Sequence, residues 1–149
     1  MPFYRHLQTA AGQADLRDRY RVLIAARRAH RALRTGGLRT VLADDAAGVL
    51  AYTRTLPDGS DAAVVVANRS PQDRSLRLDL AGVLAASTRL ADPLRPGPPL
   101  SVGADGHLDV SAPAGSAVLL VTTTPAGAAR AEPPTSPVSS PRPGWSRPR

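Results

Sequence analysis

The stretch GVLAYTRTLPDGSDAAVVVANRS, residues 48–70, decides the fold. Two apolar runs, 49–56 and 62–68, flank Leu56-Pro57-Asp58-Gly59-Ser60. Proline presets the first corner of a tight turn, aspartate binds the amides that follow it, and glycine supplies positive φ. The two runs are therefore expected to pair as a β-hairpin. Val64-Val65-Val66 has no polar interruption, which suits a strand at the buried centre of a sheet.

Outward from the hairpin the pattern repeats. Further short strands are expected at 38–43, 75–80, 100–102, 107–111 and 117–123, with a weakly patterned one around 87–90. Ala104-Asp105-Gly106 marks a second tight turn. Short strands joined locally, without intervening helices, build an antiparallel sandwich rather than a parallel α/β sheet. The expected class is mainly β, a Greek-key-like antiparallel sandwich over 38–124. From Pro125 the chain is rich in proline, serine and arginine, with Trp145 its only large apolar side chain, and 125–149 is expected to be disordered.

Upstream, residues 14–33 read ADLRDRYRVLIAARRAHRAL, free of glycine and proline and rich in strong helix formers. One amphipathic helix is expected over 14–34 within an N-terminal segment 1–37. Leu16, Tyr20, Leu23, Ile24 and Leu33 fall near one stripe, which calls for a docking partner. Asp15 and Asp18 are expected in its first turns, where they suit the macrodipole, and Gly36-Gly37 is expected to stop it.

Composition excludes much chemistry. The chain has no cysteine, which removes disulfides, thiolate metal sites and cysteine nucleophiles. His6, His30 and His107 lie far apart with no partner at ligand spacing, and no G-x-S-x-G elbow or phosphate-cradling glycine pattern occurs. Asp44-Asp45 and Asp58/Asp61 contain calcium-type oxygens but lack a binding-loop pattern, so they read as turn caps. No catalytic residue, cofactor or metal is expected.

All 19 basic residues are arginine, and the net charge of +7 is uneven. Residues 1–39 carry nine arginines against two aspartates, 40–124 carry six against nine, and the tail four against one glutamate. The helix arginines do not line one stripe, and an aromatic content of 3% leaves no stacking platform, so nucleic acid is disfavoured. With no membrane span and no secretory leader, a cytoplasmic protein is expected.

Four segments occur in a telling order: YRVLIAARRAHRALR (20–34), GVLAYTR (48–54), AVVVANRS (63–70) and APAGSAVLL (112–120). Together they resemble the C-terminal end of alpha-amylase family glycoside hydrolases, most nearly the alpha-glucosidase and maltogenic-amylase branch. The resemblance spans Asp15 to Thr123, with Arg31 where the family usually has proline. It implies that the helix is the last one of a (β/α)8 barrel and that the strands form the C-terminal sandwich. It also implies packing and capping roles at the helix end for His30 and Arg34, and a packing interface of Leu16, Tyr20, Leu23, Ile24, His30 and Leu33.

The family's retaining chemistry uses barrel-borne carboxyls about 5 to 5.5 Å apart. Glu132, the only glutamate, lies in the tail, so no catalytic residue carries over. The implied function is a non-catalytic accessory domain of an enzyme acting on α-glucosidic bonds. Its implied partner is the catalytic barrel, in cis or from a separate chain, and the chain would then be a piece of a longer or split hydrolase. The rival is a stand-alone carbohydrate-binding or structural sandwich with α-glucan as ligand, which would need exposed aromatic platforms, whereas Tyr52 is expected to be a core side chain and not a sugar contact. Self-association through the helix is a further expectation.

Overall fold

The computed structural model describes residues 10–123. The tail from Pro125, expected to be disordered, lies outside them. Helix α1 spans Ala10–Ala29 and a single turn, α2, spans Ala32–Thr35. Eight strands follow among the described residues: β1 (Gly37–Asp44), β2 (Val49–Thr55), β3 (Ala62–Asn68), β4 (Arg74–Asp79), β5 (Arg89–Ala91), β6 (Leu100–Ser101), β7 (His107–Ala112) and β8 (Ser116–Thr122).

The decisive hairpin forms as its sequence implies. β2 and β3 pair antiparallel from Val49↔Asn68 to Thr55↔Ala62. Gly59 closes the turn with φ of 69°, its N–H bonded to the Leu56 carbonyl at 3.0 Å. Six strands make one sheet in the order β1-β2-β3-β8-β5-β6, and β4 with β7 make a second, every pairing antiparallel. The non-consecutive neighbours β3/β8 and β4/β7 give the fold its Greek-key-like character.

Alternation decides which side chains fill the core. Val49, Ala51, Val64, Val66, Leu90, Val118 and Leu120 from the large sheet meet Leu78, Leu108, Val110 and Ala112 from the small one. Transfer of such aliphatics from water is the main stabilising term. The opposite face of the large sheet is apolar too at its centre, where Ala63, Leu119 and Val121 cluster with Ala26 of α1, Leu33 and Val65. β3 and β8 are thus covered on both sides, which explains their uninterrupted valine and leucine runs. At the outer edge, β1 carries an irregularity between Thr40 and Leu42, a feature that discourages further strand pairing.

The helix differs from expectation at both ends. It starts at Ala10, because Ala10 and Ala11 are good helix formers, so its first turn contains no acidic residue. Asp15 and Asp18 instead pair along the helix with Arg19 (3.2 Å) and Arg21 (3.0 Å). It also breaks after Ala29 instead of running to residue 34, for a reason that lies in the site described next.

Candidate functional site

α1 leaves helical geometry because its freed backbone groups find side-chain partners. The His30 N–H still bonds the Ala26 carbonyl at 2.9 Å. Two residues on, the Ala32 N–H donates to Asp61 Oδ2 at 2.9 Å. The carbonyl of Arg28 accepts from Arg34 Nη1 at 2.6 Å, and Arg27 Nη1 donates to the Leu33 carbonyl at 2.6 Å. Helix ends need such substitutes for their unpaired groups, and here two arginines and a distant aspartate supply them. Gly36 then ends α2 with extended, not left-handed, geometry. A Cβ there would stand 2.5 Å from the Ala32 carbonyl oxygen, so only glycine fits. The Gly36 carbonyl in turn accepts from Arg54 Nη2 of β2 at 2.9 Å.

Asp61, at the start of β3, is the hub of this joint. Its Oδ1 accepts from His30 Nδ1 at 2.9 Å and from Thr122 Oγ1 of β8 at 2.8 Å. An ionised carboxylate only accepts, so His30 Nδ1 carries the proton. The two side chains are 20% and 16% exposed. Burial pushes the Asp61 carboxyl up, but the bonds from Ala32, His30 and Thr122 outweigh it and hold the group below its ordinary value. A cleft of about 310 Å³ opens beside it, lined by His30, Arg31, Leu56, Ser60 and Thr123 among others.

The remaining turn aspartates hold backbone. Asp44 accepts from the Ala47 N–H at 2.8 Å, Asp58 from the Ser60 N–H at 3.0 Å and its hydroxyl at 2.7 Å, and Asp105 from the His107 N–H at 3.1 Å while pairing with Arg77. Those contacts lower the Asp58 and Asp105 carboxyls, Ser60 and His107 contributing most. Among the described residues no group of three or more acidic or histidine side chains is arranged to hold a metal ion. No described helix is long and apolar enough to cross a membrane.

The structure splits the six interface residues expected from sequence. His30 enters the Asp61 joint, and Leu33 is half-buried against the small cluster with Ala26. Tyr20, Leu23 and Ile24 stay 58%, 39% and 49% exposed, and Leu16 is half-buried. Leu16, Tyr20 and Leu23 line a groove of about 290 Å³ between α1 and the sheet, opposite Leu94 and Ala117, without filling it. Among the side chains of α1 that are described, residues 13–29, the one that does bury is Ala26, at 6% exposure. Helix geometry explains the split: Val22 and Ala26 lie on one side of the helix, and Tyr20 and Ile24 lie on nearly the opposite side, roughly 160° around it. Tyr52 is half-buried on the outward-facing side of β2, between Thr40 and Val65.

Sequence reasoning missed two residues. Asp61 read only as a turn aspartate, and no local signal marks it as the partner of a helix end 31 residues earlier. Asn68 lay in a recognised motif, yet its role appears only in three dimensions. It is 2% exposed, donates through Nδ2 to the carbonyls of Gln72, Ala112 and Pro113 at 2.8, 2.9 and 3.1 Å, and accepts from Ser70 N–H and Oγ at 3.0 and 2.7 Å.

No family model and no curated protein matches the chain. Solved structures do. A crystal structure of AmyP in complex with maltose is similar at 22% identity and TM-score 0.62, over 76% of this chain and 22% of that one. A cyclomaltodextrinase is similar at 25% identity and TM-score 0.55, over 70% and 17%. An Anoxybacillus alpha-amylase is similar at 22% identity and TM-score 0.56, over 68% and 21%. The resemblance to alpha-amylase family enzymes is therefore found in the fold as well as in sequence motifs. This chain spans only about a fifth of the length of the enzymes it resembles.

Proposed function

We infer that the chain is a non-catalytic accessory domain of an alpha-amylase family glycoside hydrolase acting on α-glucosidic bonds, working in the cytoplasm. It stabilises or completes the catalytic barrel, in cis or from a separate chain. The observation that carries this reading is the exposed flank of α1: Tyr20, Leu23 and Ile24 stay open to solvent while the sandwich binds the helix through Ala26. Large apolar side chains grouped in the open mark a surface meant for another body. The fold match supports this kind of body, because the match covers only 22% and 17% of the similar enzymes, which have more chain for such a helix to join.

The site residues follow from the same reading. Leu16, Tyr20, Leu23 and Ile24 face the barrel, and His30 and Leu33 anchor the helix to the sandwich. α-Glucan is not needed as a ligand, since sugar stacking wants flat aromatic platforms and Tyr20 is the only strongly exposed described aromatic.

The test is complementation. The cyclomaltodextrinase, trimmed of the segment matching this chain, is assayed for α-glucan hydrolysis alone, with its own segment added back, and with this chain. Rescue by this chain, lost in Ile24→Arg, is expected, and the chain alone hydrolyses neither maltose nor p-nitrophenyl α-glucoside. Rescue by the enzyme's own segment but not by this chain, or hydrolysis by this chain alone, overturns the reading.

A further inference from the structure

The exposed flank of α1 is framed by charge of a single sign. Between residues 17 and 34 the chain carries seven arginines. Four are tied down locally: Arg19 to Asp15, Arg21 to Asp18, Arg27 to the Leu33 carbonyl and Arg34 to the Arg28 carbonyl. Arg31 lies within electrostatic reach of Asp58. Arg17 and Arg28 are exposed, and neither guanidinium group has a hydrogen bond or ion pair among the described residues. Residue 28 sits one turn beyond Ile24 and residue 17 two turns before it, so both rise from the helix beside the exposed isoleucine. Tyr20 and Ile24 are thus an apolar spot bordered by two unengaged guanidinium groups.

We propose that this flank docks on an acidic-rimmed apolar protein surface, with carboxylates opposite Arg17 and Arg28. The inference rests on the accessory-domain reading and names the chemistry its partner must present. Arginine forks pair bidentately with carboxylates, so the frame adds orientation as well as attraction. It also selects against a second copy of this chain. Two such flanks meeting face to face would bring arginines onto arginines, and like charges at a contact penalise the wrong partner. A nucleic acid fits less well, because phosphate binding has no use for an isoleucine and a tyrosine edge between two arginines on a helix.

The probe is a synthetic amphipathic Leu/Glu peptide of about 20 residues, long enough to hold a helix, with a Leu/Lys twin as its opposite. Titration of the full chain is expected to show binding of the glutamate peptide and none of the lysine peptide. Affinity should fall about tenfold between about 0.1 M and about 1 M salt, as the screening length shrinks from roughly 10 Å to roughly 3 Å. Arg17→Gln with Arg28→Gln should flatten that salt dependence and leave weak apolar binding, while Ile24→Ser removes both.

Equal binding of the two peptides, or no salt dependence, overturns the acidic rim. So does a chain that sediments as a dimer at the lower salt, or a random DNA duplex that displaces the glutamate peptide. Barrel rescue without any glutamate preference would sink this inference and leave the accessory reading standing. Glutamate preference without barrel rescue would do the reverse.

Discussion

Asn68 and Asp61 stand at opposite ends of β3, and each gathers hydrogen bonds from separate segments of the chain. Asn68 is neutral, buried and surrounded by backbone of the sandwich itself, with carbonyls from the end of β7 and from the turn after β3. Asp61 is charged, partly wet and turned outward toward the helix end. The first closes the sandwich and the second fastens something to it. A buried neutral hub has no water to fall back on, whereas a half-exposed carboxylate can trade protein partners for solvent. Loss of Asn68 should therefore be felt throughout the sandwich, and loss of Asp61 only at the helix.

The largest expected effect is at Asn68. Asn68→Ala removes the donor to the carbonyls of Gln72, Ala112 and Pro113 and the acceptor of the Ser70 N–H, and should cost about 3 kcal/mol or more at the usual penalty for unsatisfied buried groups. Urea unfolding followed by circular dichroism should show the whole transition shifted, with its slope unchanged. A loss confined to helix signal would erase the distinction between the two hubs.

Asp61→Ala should cost less, about 1 to 2 kcal/mol, since water can replace part of what the carboxylate supplied. Its signature is locality. Amides of residues 10–35 should lose hydrogen-exchange protection while those of β2, β3 and β8 keep theirs. Equal loss in strands and helix would make the joint part of the core.

These two hubs also show how much was legible in the sequence. The strands were, because alternation, continuous valine runs and Pro-Asp-Gly punctuation are local properties that tertiary context did not override. β3 falls on the expected 62–68, and each other strand lies within two residues of its expected start and end. The antiparallel order was legible as a class, and the alpha-amylase resemblance came from sequence motifs, with solved structures of such enzymes similar in fold. The helix was legible in kind but not in extent. Its break at His30 depends on a carboxylate that arrives from a distant turn, and no pattern within residues 10–35 encodes it. Its docking flank was also hidden, because hydrophobicity points to the large residues while the sandwich took Ala26.

A smaller effect separates the hubs by pH. The Asp61 carboxyl is held below its ordinary value, so in the unfolded chain it takes up a proton more readily, near the usual value of about 3.9. Its contribution is therefore complete above that value and fades as pH falls through the lower folded one. Asn68 does not titrate. On acidification the exchange protection of the helix should fall before that of β3 and β8, and Asp61→Asn should abolish the difference. Simultaneous loss in the wild-type chain would mean that other carboxylates, such as Asp105 with Arg77, fail first.

The smallest expected effect is the most telling for function. Tyr20→Ser with Ile24→Ser removes two of the largest apolar side chains of the helix, which a reading by hydrophobicity alone would count among its main anchors. Both are about half exposed or more in the folded chain, so little area returns to water when they are cut back. Substitutions at such positions usually change stability by no more than about 0.5 kcal/mol, and the melt should scarcely move. Barrel rescue should nevertheless disappear, because there the same side chains are buried. A stability loss above about 1 kcal/mol would instead show that α1 closes the groove against Leu94 and Ala117 in solution, filling it with its own residues. The flank would then belong to this chain's own packing, and the surface assigned to a partner would no longer be free to receive one.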